Sequence, residues 1–161
     1  MDRSLRERLI AEYARGPERL QSALAQVPDE ARQWRPKPGE WSAHEIVVHC
    51  ADSETNAALR IRYLVAEKDP LLLGYDQDEW ARRFDYHRHP LDLALATVDT
   101  VRANTTALLR RLSEEDWQRA GRHTESGRYT ALDWLRVYAE HLDAHARQIE
   151  ANLAAWRAQQ R

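Results

Sequence analysis

The alternation of hydrophobic and polar positions is most regular over residues 130–156. This segment contains neither proline nor glycine, and Thr130 with Asp133 three residues later predicts a helix with an N-cap and an acidic first turn. Side chains spaced alternately by four and three residues share one face of such a helix. They are Trp134, Tyr138, His141, His145, Gln148 and Asn152. A face of this kind normally turns toward a bundle core, yet its middle is polar.

Four further stretches have the same helical period and are predicted as helices over residues 2–14, 18–26, 43–67 and 91–112. Gly16 and Pro17 divide the N-terminal part into two pieces, since a proline is best placed at the first turn of a new helix. Ser42 and Glu45 have the spacing of a capping box in front of the helix over residues 43–67.

The connecting segments are predicted to be mostly irregular. Residues 71–75 are expected to be a linker, and Asp76 is expected to cap a short helix over residues 76–84. Gly121 and Gly127 lie in a stretch, residues 120–129, that predicts either a small β-hairpin or a plain loop. Four long helices with moderate connections predict an all-α four-helix bundle, in which neighbouring helices need not follow a simple up-down order.

Composition narrows the functional classes. The 161 residues are expected to form one domain, residues 1–161, and the formal net charge of −2 gives no electrostatic case for binding nucleic acid. No stretch approaches the roughly 20 apolar residues of a membrane span. The single cysteine, Cys50, excludes an intrachain disulfide within this sequence and suits a reducing cytoplasm, where we expect the protein to work.

The candidate chemistry lies in the polar middle of the C-terminal helix. His141 and His145 are one turn apart, and neutral imidazoles at this spacing can chelate a transition metal. Two histidines four residues apart are common by chance, so the pair alone is a weak signal. His49 on the helix over residues 43–67 would complete a three-histidine site in a bundle core. The alternative is that all three are ordinary core or interface residues.

The residues around His49 resemble a known family. Residues 38–42 (PGEWS), followed by residues 49–54 (HCADSE), resemble the DinB-like superfamily and, within it, the YfiT-like branch of metal-dependent hydrolases and bacillithiol S-transferases. The segments NAALRIRYLVAEKDP, GYDQDEWA and FDYH, and Tyr138 to His141 with His145, extend the resemblance to about residues 34–149. Val48 and Glu54 depart from it, because that branch often has histidines at these two places.

The resemblance implies the fold and the ligands of a metal site. It implies a four-helix bundle with long crossover connections and short extra helices, and a divalent metal, zinc or nickel, held by His49, His141 and His145. It also implies an enzyme that acts on a small molecule, with a low-molecular-weight thiol as co-substrate, and it makes a homodimer plausible.

Two uses of such a metal stay open from the sequence. The resemblance favours a thiol S-transferase, in which a thiol activated on the metal attacks a small electrophile, whereas water at the same position would give a hydrolase. The other class of reading is a stress-associated bundle whose metal only braces the helices. Asp52, one turn after His49, would either accept the ring N–H of a ligand histidine or form a surface salt bridge.

The other candidate residues have simpler expected roles. Trp134 and Tyr138 are expected to pack in the core, although they could also wall a pocket. Cys50 is expected to be a buried thiol outside the metal site. His87 and His89 are expected to be solvated loop residues, although they could line the mouth of a pocket, and no role is expected for His44 or His123.

Overall fold

The chain forms five helices and one small sheet. The computed structural model describes residues 2–160, and its elements in chain order are α1 (Arg3–Ala25), α2 (Ala43–Ala66), β1 (Leu71–Leu72), α3 (Gln77–Arg83), α4 (Leu91–Leu109), β2 (Ala120–His123), β3 (Gly127–Thr130) and α5 (Ala131–Gln159). Three short 3₁₀ turns connect them at Asp29–Ala31, Tyr86–Arg88 and Asp116–Gln118. The prediction of a mostly helical protein with four long helices is confirmed.

The two longest helices begin at capping boxes. Ser42 caps α2 by accepting a hydrogen bond from the Glu45 N–H, and the Glu45 carboxylate accepts one from the Ser42 N–H in return. Thr130 and Asp133 make the same reciprocal pair at the start of α5. These contacts satisfy backbone donors that a helix start leaves unpaired, so each helix starts where the sequence predicts.

The N-terminal helix corrects one prediction. Residues 3–25 form a single helix with Pro17 inside it, not two pieces. Pro17 lacks the N–H that would bond the Tyr13 carbonyl, and the Arg102 guanidinium of α4 donates to that carbonyl instead, at 2.6 Å. Gly16 gives the space for this approach, because a Cβ there would lie 3.0 Å from both Arg102 Nη1 and Leu142. A long-range hydrogen bond therefore compensates for the local helix breaker.

The small sheet corrects another prediction. Residues 120–130 form the antiparallel β2–β3 hairpin, which was one of the two alternatives. Leu71 and Leu72, predicted as part of a linker, form a short strand parallel to β2. Gly121 permits the close approach of the two segments, because a Cβ at that position would lie 2.5 Å from the Pro70 carbonyl oxygen.

The four long helices pack in a closed ring. The adjacent pairs are α1 with α5, α5 with α2, α2 with α4, and α4 with α1. Helices α1 and α2 follow each other along the chain but lie on opposite sides of the ring. Helices α4 and α5 do the same. This order makes α2 and α5 neighbours, which is what brings the predicted histidines together. Within residues 2–160, no helix has both the length and the apolar composition needed to cross a membrane.

Two apolar clusters fill the bundle, one toward each end. One includes Ile46, Cys50, Val98, Ala146 and Ile149, and the other includes Tyr13, Ile61, Leu109, Trp117 and Trp134. On α2 the residues between the clusters, 52–56, are all polar.

Candidate metal centre

His49 is held on the inner side of α2, one turn after the capping box. Its side chain is 1% exposed, so it is a core residue and not part of a solvated face. The Trp41 ring, which precedes the cap, packs over the imidazole with 4.6 Å between the ring centroids. The start of α2 therefore fixes both the register of His49 and one wall of its surroundings.

His141 and His145 project from neighbouring turns of α5 toward His49. Their ring centroids are 4.6 Å apart, and those of His49 lie 5.7 Å from His141 and 4.9 Å from His145. One ring nitrogen of each residue lies within 4.8 Å of one ring nitrogen of both others. The structure thus brings together the three residues that the sequence singled out; we call them the histidine triad. Their role as metal ligands stays a prediction.

Several ring nitrogens of the triad have no hydrogen-bond partner. Among the described residues, His49 Nδ1 and His141 Nδ1 are buried and unpartnered. His145 Nδ1 lies 2.9 Å from Gln148 Oε1, so this ring donates to the amide oxygen and leaves its Nε2 as a lone pair. Buried polar atoms are rarely left unpaired in a folded protein. Three imidazole nitrogens converging on one point are a donor set that fits a divalent transition metal.

Two members of the triad, His49 and His145, are held in the neutral form. Burial, reinforced by the neighbouring rings of His145 and His141, lowers the pKa of His49 to about 2. Burial and the His141 ring lower the pKa of His145 to about 4. Neutral imidazoles carry the lone pairs that bind metals, so at neutral pH these two residues need not release a proton before coordination.

One side of the triad reaches solvent. The His141 side chain is 18% exposed, and His145 is also partly exposed. Ser53 Oγ lies 3.5 Å from His141 Nε2, and the Tyr138 ring lies 5.7 Å from the His141 ring between centroids. Tyr138 is therefore both a core residue and a wall of the site.

Arg60, a residue that the sequence did not single out, contacts the Tyr138 hydroxyl. Arg60 donates a hydrogen bond to the Tyr138 hydroxyl at 3.0 Å, and its guanidinium lies 5.9 Å from the centroid of the Tyr75 ring. The Tyr75 hydroxyl is buried without a partner among the described residues, and burial raises its pKa to about 12. The signal available beforehand was the spacing from His49 to Ser53 and Arg60, which places all three near one face of α2.

Asp52 has a described partner other than a histidine. Its carboxylate accepts a hydrogen bond from the Tyr86 hydroxyl at 2.5 Å. The carboxylate that lies beside a triad residue is Glu54, whose Oε1 is 3.6 Å from His141 Nδ1. Sequence reasoning noted Glu54 only as a departure from the family pattern. Its place between Cys50 and Ala57 in the inward stripe of α2 was the signal that could have found it.

The histidines near the start of α2 belong to a separate group. His87 Nε2 lies 2.8 Å from Ser42 Oγ and 3.3 Å from the Glu45 carboxylate, so His87 is not the solvated loop residue that was expected. Arg35 also donates to Glu45, with Nε 2.8 Å from Oε2. We call Ser42, Glu45, Arg35 and His87 the capping network. Cys50 is fully buried, as expected of a structural thiol, and burial raises its pKa.

Comparisons with known proteins identify the family of the chain. A family model described as the DinB superfamily matches residues 12–149. A protein of Bacillus licheniformis, provisionally named a metal-dependent hydrolase, is 30% identical over 147 residues, which cover 91% of this chain and 84% of its own. One from Oceanobacillus iheyensis with the same provisional name is 29% identical over 133 residues, covering 83% and 77%.

A solved structure shows the same fold. YfiT from Bacillus subtilis, described as a probable metal-dependent hydrolase with an unusual four-helix bundle topology, superposes with a TM-score of 0.88. The match is 24% identical and covers 94% of this chain and 87% of that one. At this identity the likeness establishes the fold, and the ring order α1–α5–α2–α4 is the form that the fold takes here.

Proposed function

The chain belongs to the DinB superfamily, and we propose that it is a metal-dependent enzyme whose histidine triad holds one divalent ion, zinc or nickel. We further propose that it activates a low-molecular-weight thiol for attack on a small electrophile, which makes it a thiol S-transferase.

The observation that carries the proposal is the convergence of three imidazoles from two helices. Their candidate ligand atoms lie within 4.8 Å of one another, and the buried Nδ1 of His49 has no hydrogen-bond partner among the described residues. An ordinary core histidine would be expected to pair this nitrogen with another polar group. Three protein ligands with a solvent-exposed side are typical of catalytic metal sites, whereas structural sites are usually closed by a fourth protein ligand.

The reaction class follows from what such an ion supplies when bound, which is an open coordination position where a thiol or water loses its proton at neutral pH. The residues of the chain would hold and shape this site. Gln148 fixes which nitrogen of His145 faces the triad, and Trp41 packs against one face of His49. Ser53 and Tyr138, both buried, lie against His141 and would border a substrate bound beside it.

A hydrolase is the second candidate. The provisional names of the two relatives favour it, because each is named as a metal-dependent hydrolase. The two candidates use the same residues and differ in the nucleophile, which is a thiol in one case and water in the other. A metal that only braces the bundle is the remaining outcome.

The first experiment measures the metal content of untagged protein and of the His49→Ala variant by elemental analysis. We expect about one divalent ion per chain in the wild type and none in the variant. The second compares turnover of model electrophiles with and without added thiols. Thiol-dependent consumption supports the transferase, and thiol-independent cleavage of esters or amides supports the hydrolase. Absence of metal in the wild type after reconstitution would overturn the proposal.

The bracing alternative has its own measurement. The melting temperature is compared for the metal-loaded and chelator-treated wild type and for the His145→Ala variant. Loss of metal with little change in melting temperature rules out a bracing role, while a large drop together with no turnover would support it against the enzyme.

A further inference from the structure

A polar layer separates the two apolar clusters of the bundle, and its centre is a buried ion pair. Glu54 on α2 and Arg102 on α4 have side chains that are 0% and 1% exposed. Arg102 Nε and Nη2 each lie 2.7 Å from a different oxygen of the Glu54 carboxylate. A bidentate contact of this kind fixes the plane of the carboxylate as well as its charge.

Arg102 is held in place by three elements. It donates to the Tyr13 carbonyl of α1 at 2.6 Å and to the Tyr138 carbonyl of α5 at 2.9 Å. Its guanidinium also lies 3.7 Å from the centroid of the Tyr13 ring. The Tyr13 carbonyl is the one that Pro17 leaves without a helical partner. The arginine therefore connects all four long helices, and the carboxylate that it grips has little freedom to move.

Two other groups lie beside the carboxylate oxygens of Glu54. The Tyr13 hydroxyl donates to Oε2 at 3.2 Å, and Oε1 lies 3.6 Å from His141 Nδ1. The bidentate contact with the Arg102 guanidinium, which only donates, keeps the Glu54 carboxylate in its ionised form. An ionised carboxylate only accepts hydrogen bonds, so it favours an N–H on the nitrogen that faces it.

We propose that Glu54, held by Arg102, is a positioning residue that keeps the proton of His141 on Nδ1 and leaves Nε2 as the metal-binding lone pair. This inference rests on the proposed function of the triad. A neutral imidazole has one N–H and one lone pair, and the partner of the first nitrogen decides which tautomer forms. Gln148 performs the same task for His145 with a neutral amide oxygen. The two ligand positions of α5 would thus be oriented by different acceptors, one charged and one neutral.

The first test reads the tautomer directly. In metal-free wild-type protein with nitrogen-15-labelled histidine, long-range proton–nitrogen correlation spectra distinguish a protonated Nδ1 from a protonated Nε2. We expect His141 to carry its proton on Nδ1, and cadmium-113 added as a metal probe to couple to Nε2. A proton on Nε2 of His141 would overturn the inference. This measurement needs no variant, so it decides even if substitutions of the ion pair prevent folding.

The second test is the Glu54→Gln variant. The substitution replaces the charged acceptor beside His141 Nδ1 with a neutral amide, so the preference for a proton on that nitrogen is weakened. We therefore expect zinc affinity, measured by competition with a chromophoric chelator, to fall by about 10- to 100-fold. The same variant should show a larger fraction of His141 protonated on Nε2 in the nitrogen-15 spectra.

A matched control separates positioning from general damage to the polar layer. Tyr13→Phe removes a hydrogen bond to the same carboxylate but keeps its charge and its contact with Arg102. Both variants are expected to lower the free energy of unfolding in urea, yet Tyr13→Phe should keep zinc affinity within about twofold of the wild type and keep the Nδ1 proton.

The outcomes distinguish this inference from the proposed function. If the wild type binds zinc and Glu54→Gln binds it equally well with the Nδ1 proton retained, the positioning role is overturned and the proposed function stands. If the wild type binds no metal, the proposed function fails, and the tautomer of His141 in the metal-free protein still decides whether Glu54 orients it.

Discussion

The capping network and the histidine triad lie one turn apart on α2, and they differ in whether their buried polar atoms are hydrogen-bonded. In the capping network, Ser42 Oγ contacts the Glu45 N–H and His87, and both oxygens of Glu45 accept hydrogen bonds. In the triad, His49 Nδ1 is buried without a partner among the described residues. Both regions contain histidine and a side chain that is almost fully buried, so residue type and burial do not distinguish them.

The difference between the two regions is one of hydrogen-bond satisfaction. A satisfied buried network stabilises the fold, because removing one member leaves the others unpaired. An unsatisfied group lowers stability and is retained where it has another use, such as binding a ligand. Substitutions in the capping network are therefore expected to change stability, and substitutions in the triad are expected to change metal binding.

The largest expected effect is on metal content. His145→Ala should remove the stoichiometric divalent ion, because two imidazoles do not replace three. Since His145 is partly exposed and its described side-chain hydrogen bond is to Gln148, the free energy of unfolding of the metal-free protein should change by less than about 1 kcal/mol. Elemental analysis and urea unfolding of the same preparation check both parts. A large loss of stability in the metal-free variant would contradict the comparison.

The opposite pattern is expected for Glu45→Ala. The substitution removes the reciprocal cap and the contact with Arg35, and charge-assisted hydrogen bonds of this kind predict a loss of about 2 to 3 kcal/mol in the free energy of unfolding. The variant should still bind about one divalent ion per chain, since the triad is untouched. Urea unfolding of the metal-free form and a zinc titration measure the two effects. Loss of zinc binding in the folded variant would show that the capping network also serves the site.

The two regions should also respond to acid in different pH windows. The pKa of His49 is lowered to about 2 in the folded state, so below about pH 6.5 the unfolded chain takes up a proton that the folded chain does not. His49 should therefore contribute a loss of stability of about 1.4 kcal/mol per pH unit below that point, or about 2 kcal/mol by pH 5, and His145, whose pKa is lowered to about 4, should add a loss in the same window. The His49→Leu variant, which fills the space without a titratable group, should lose the His49 share of this slope.

Glu45 contributes in the more acidic window. Burial would raise its pKa, but hydrogen bonds from Arg35 and Ser42 outweigh burial and lower it. Its stabilising contribution is therefore complete above the unfolded pKa of about 4.3 and is lost as the pH falls through the folded value. Urea unfolding from pH 7 to pH 3, with Glu45→Gln as the reference, separates this loss from that of His49. An acid response of the wild type confined to below pH 4 would contradict the His49 contribution.

The smallest effect is expected for Ser42→Ala. It removes the side-chain acceptor of the Glu45 N–H but leaves the Glu45 carboxylate in place, so about 1 kcal/mol should be lost. The metal affinity should be that of the wild type. Thermal melting against a Ser42→Thr control, which keeps the cap, is sufficient to measure it. A Ser42→Ala variant as stable as the wild type would mean that Glu45 alone maintains the start of α2.

Local spacing accounts for most elements that were predicted correctly. The caps at Ser42 and Thr130 and the helical period placed α2, α4 and α5 to within a few residues, because these signals act between neighbouring turns. The predicted helix break at Pro17 was wrong because the contact that compensates for the proline is not local. Arg102, on another helix, supplies the hydrogen bond that the proline cannot make, and no spacing within α1 encodes it.

The candidate site divides in the same way. The pairing of His141 with His145 can be read from one helix. His49 was the third candidate because of its place on another long helix, and the family resemblance implies the same three ligands. The proximity of Glu54 to His141 could not be read, since it depends on how α2 and α5 are rotated against each other. Glu54 and Arg102 each lie on the inward face of a helix, but their contact could be predicted only if the order of the helices in the bundle were known.

The amino-acid sequence by itself determined the helices, their starting points and the residue types able to bind a metal, because propensity, capping and i to i+4 contacts are local. The tertiary structure decided which of these residues meet. The ring order places α5 beside α2, so His49 reaches the pair on α5, and it places Arg102 where it supports α1 and Glu54 together. Contacts between distant parts of the chain depend on the packing of whole helix faces, which the local pattern does not specify.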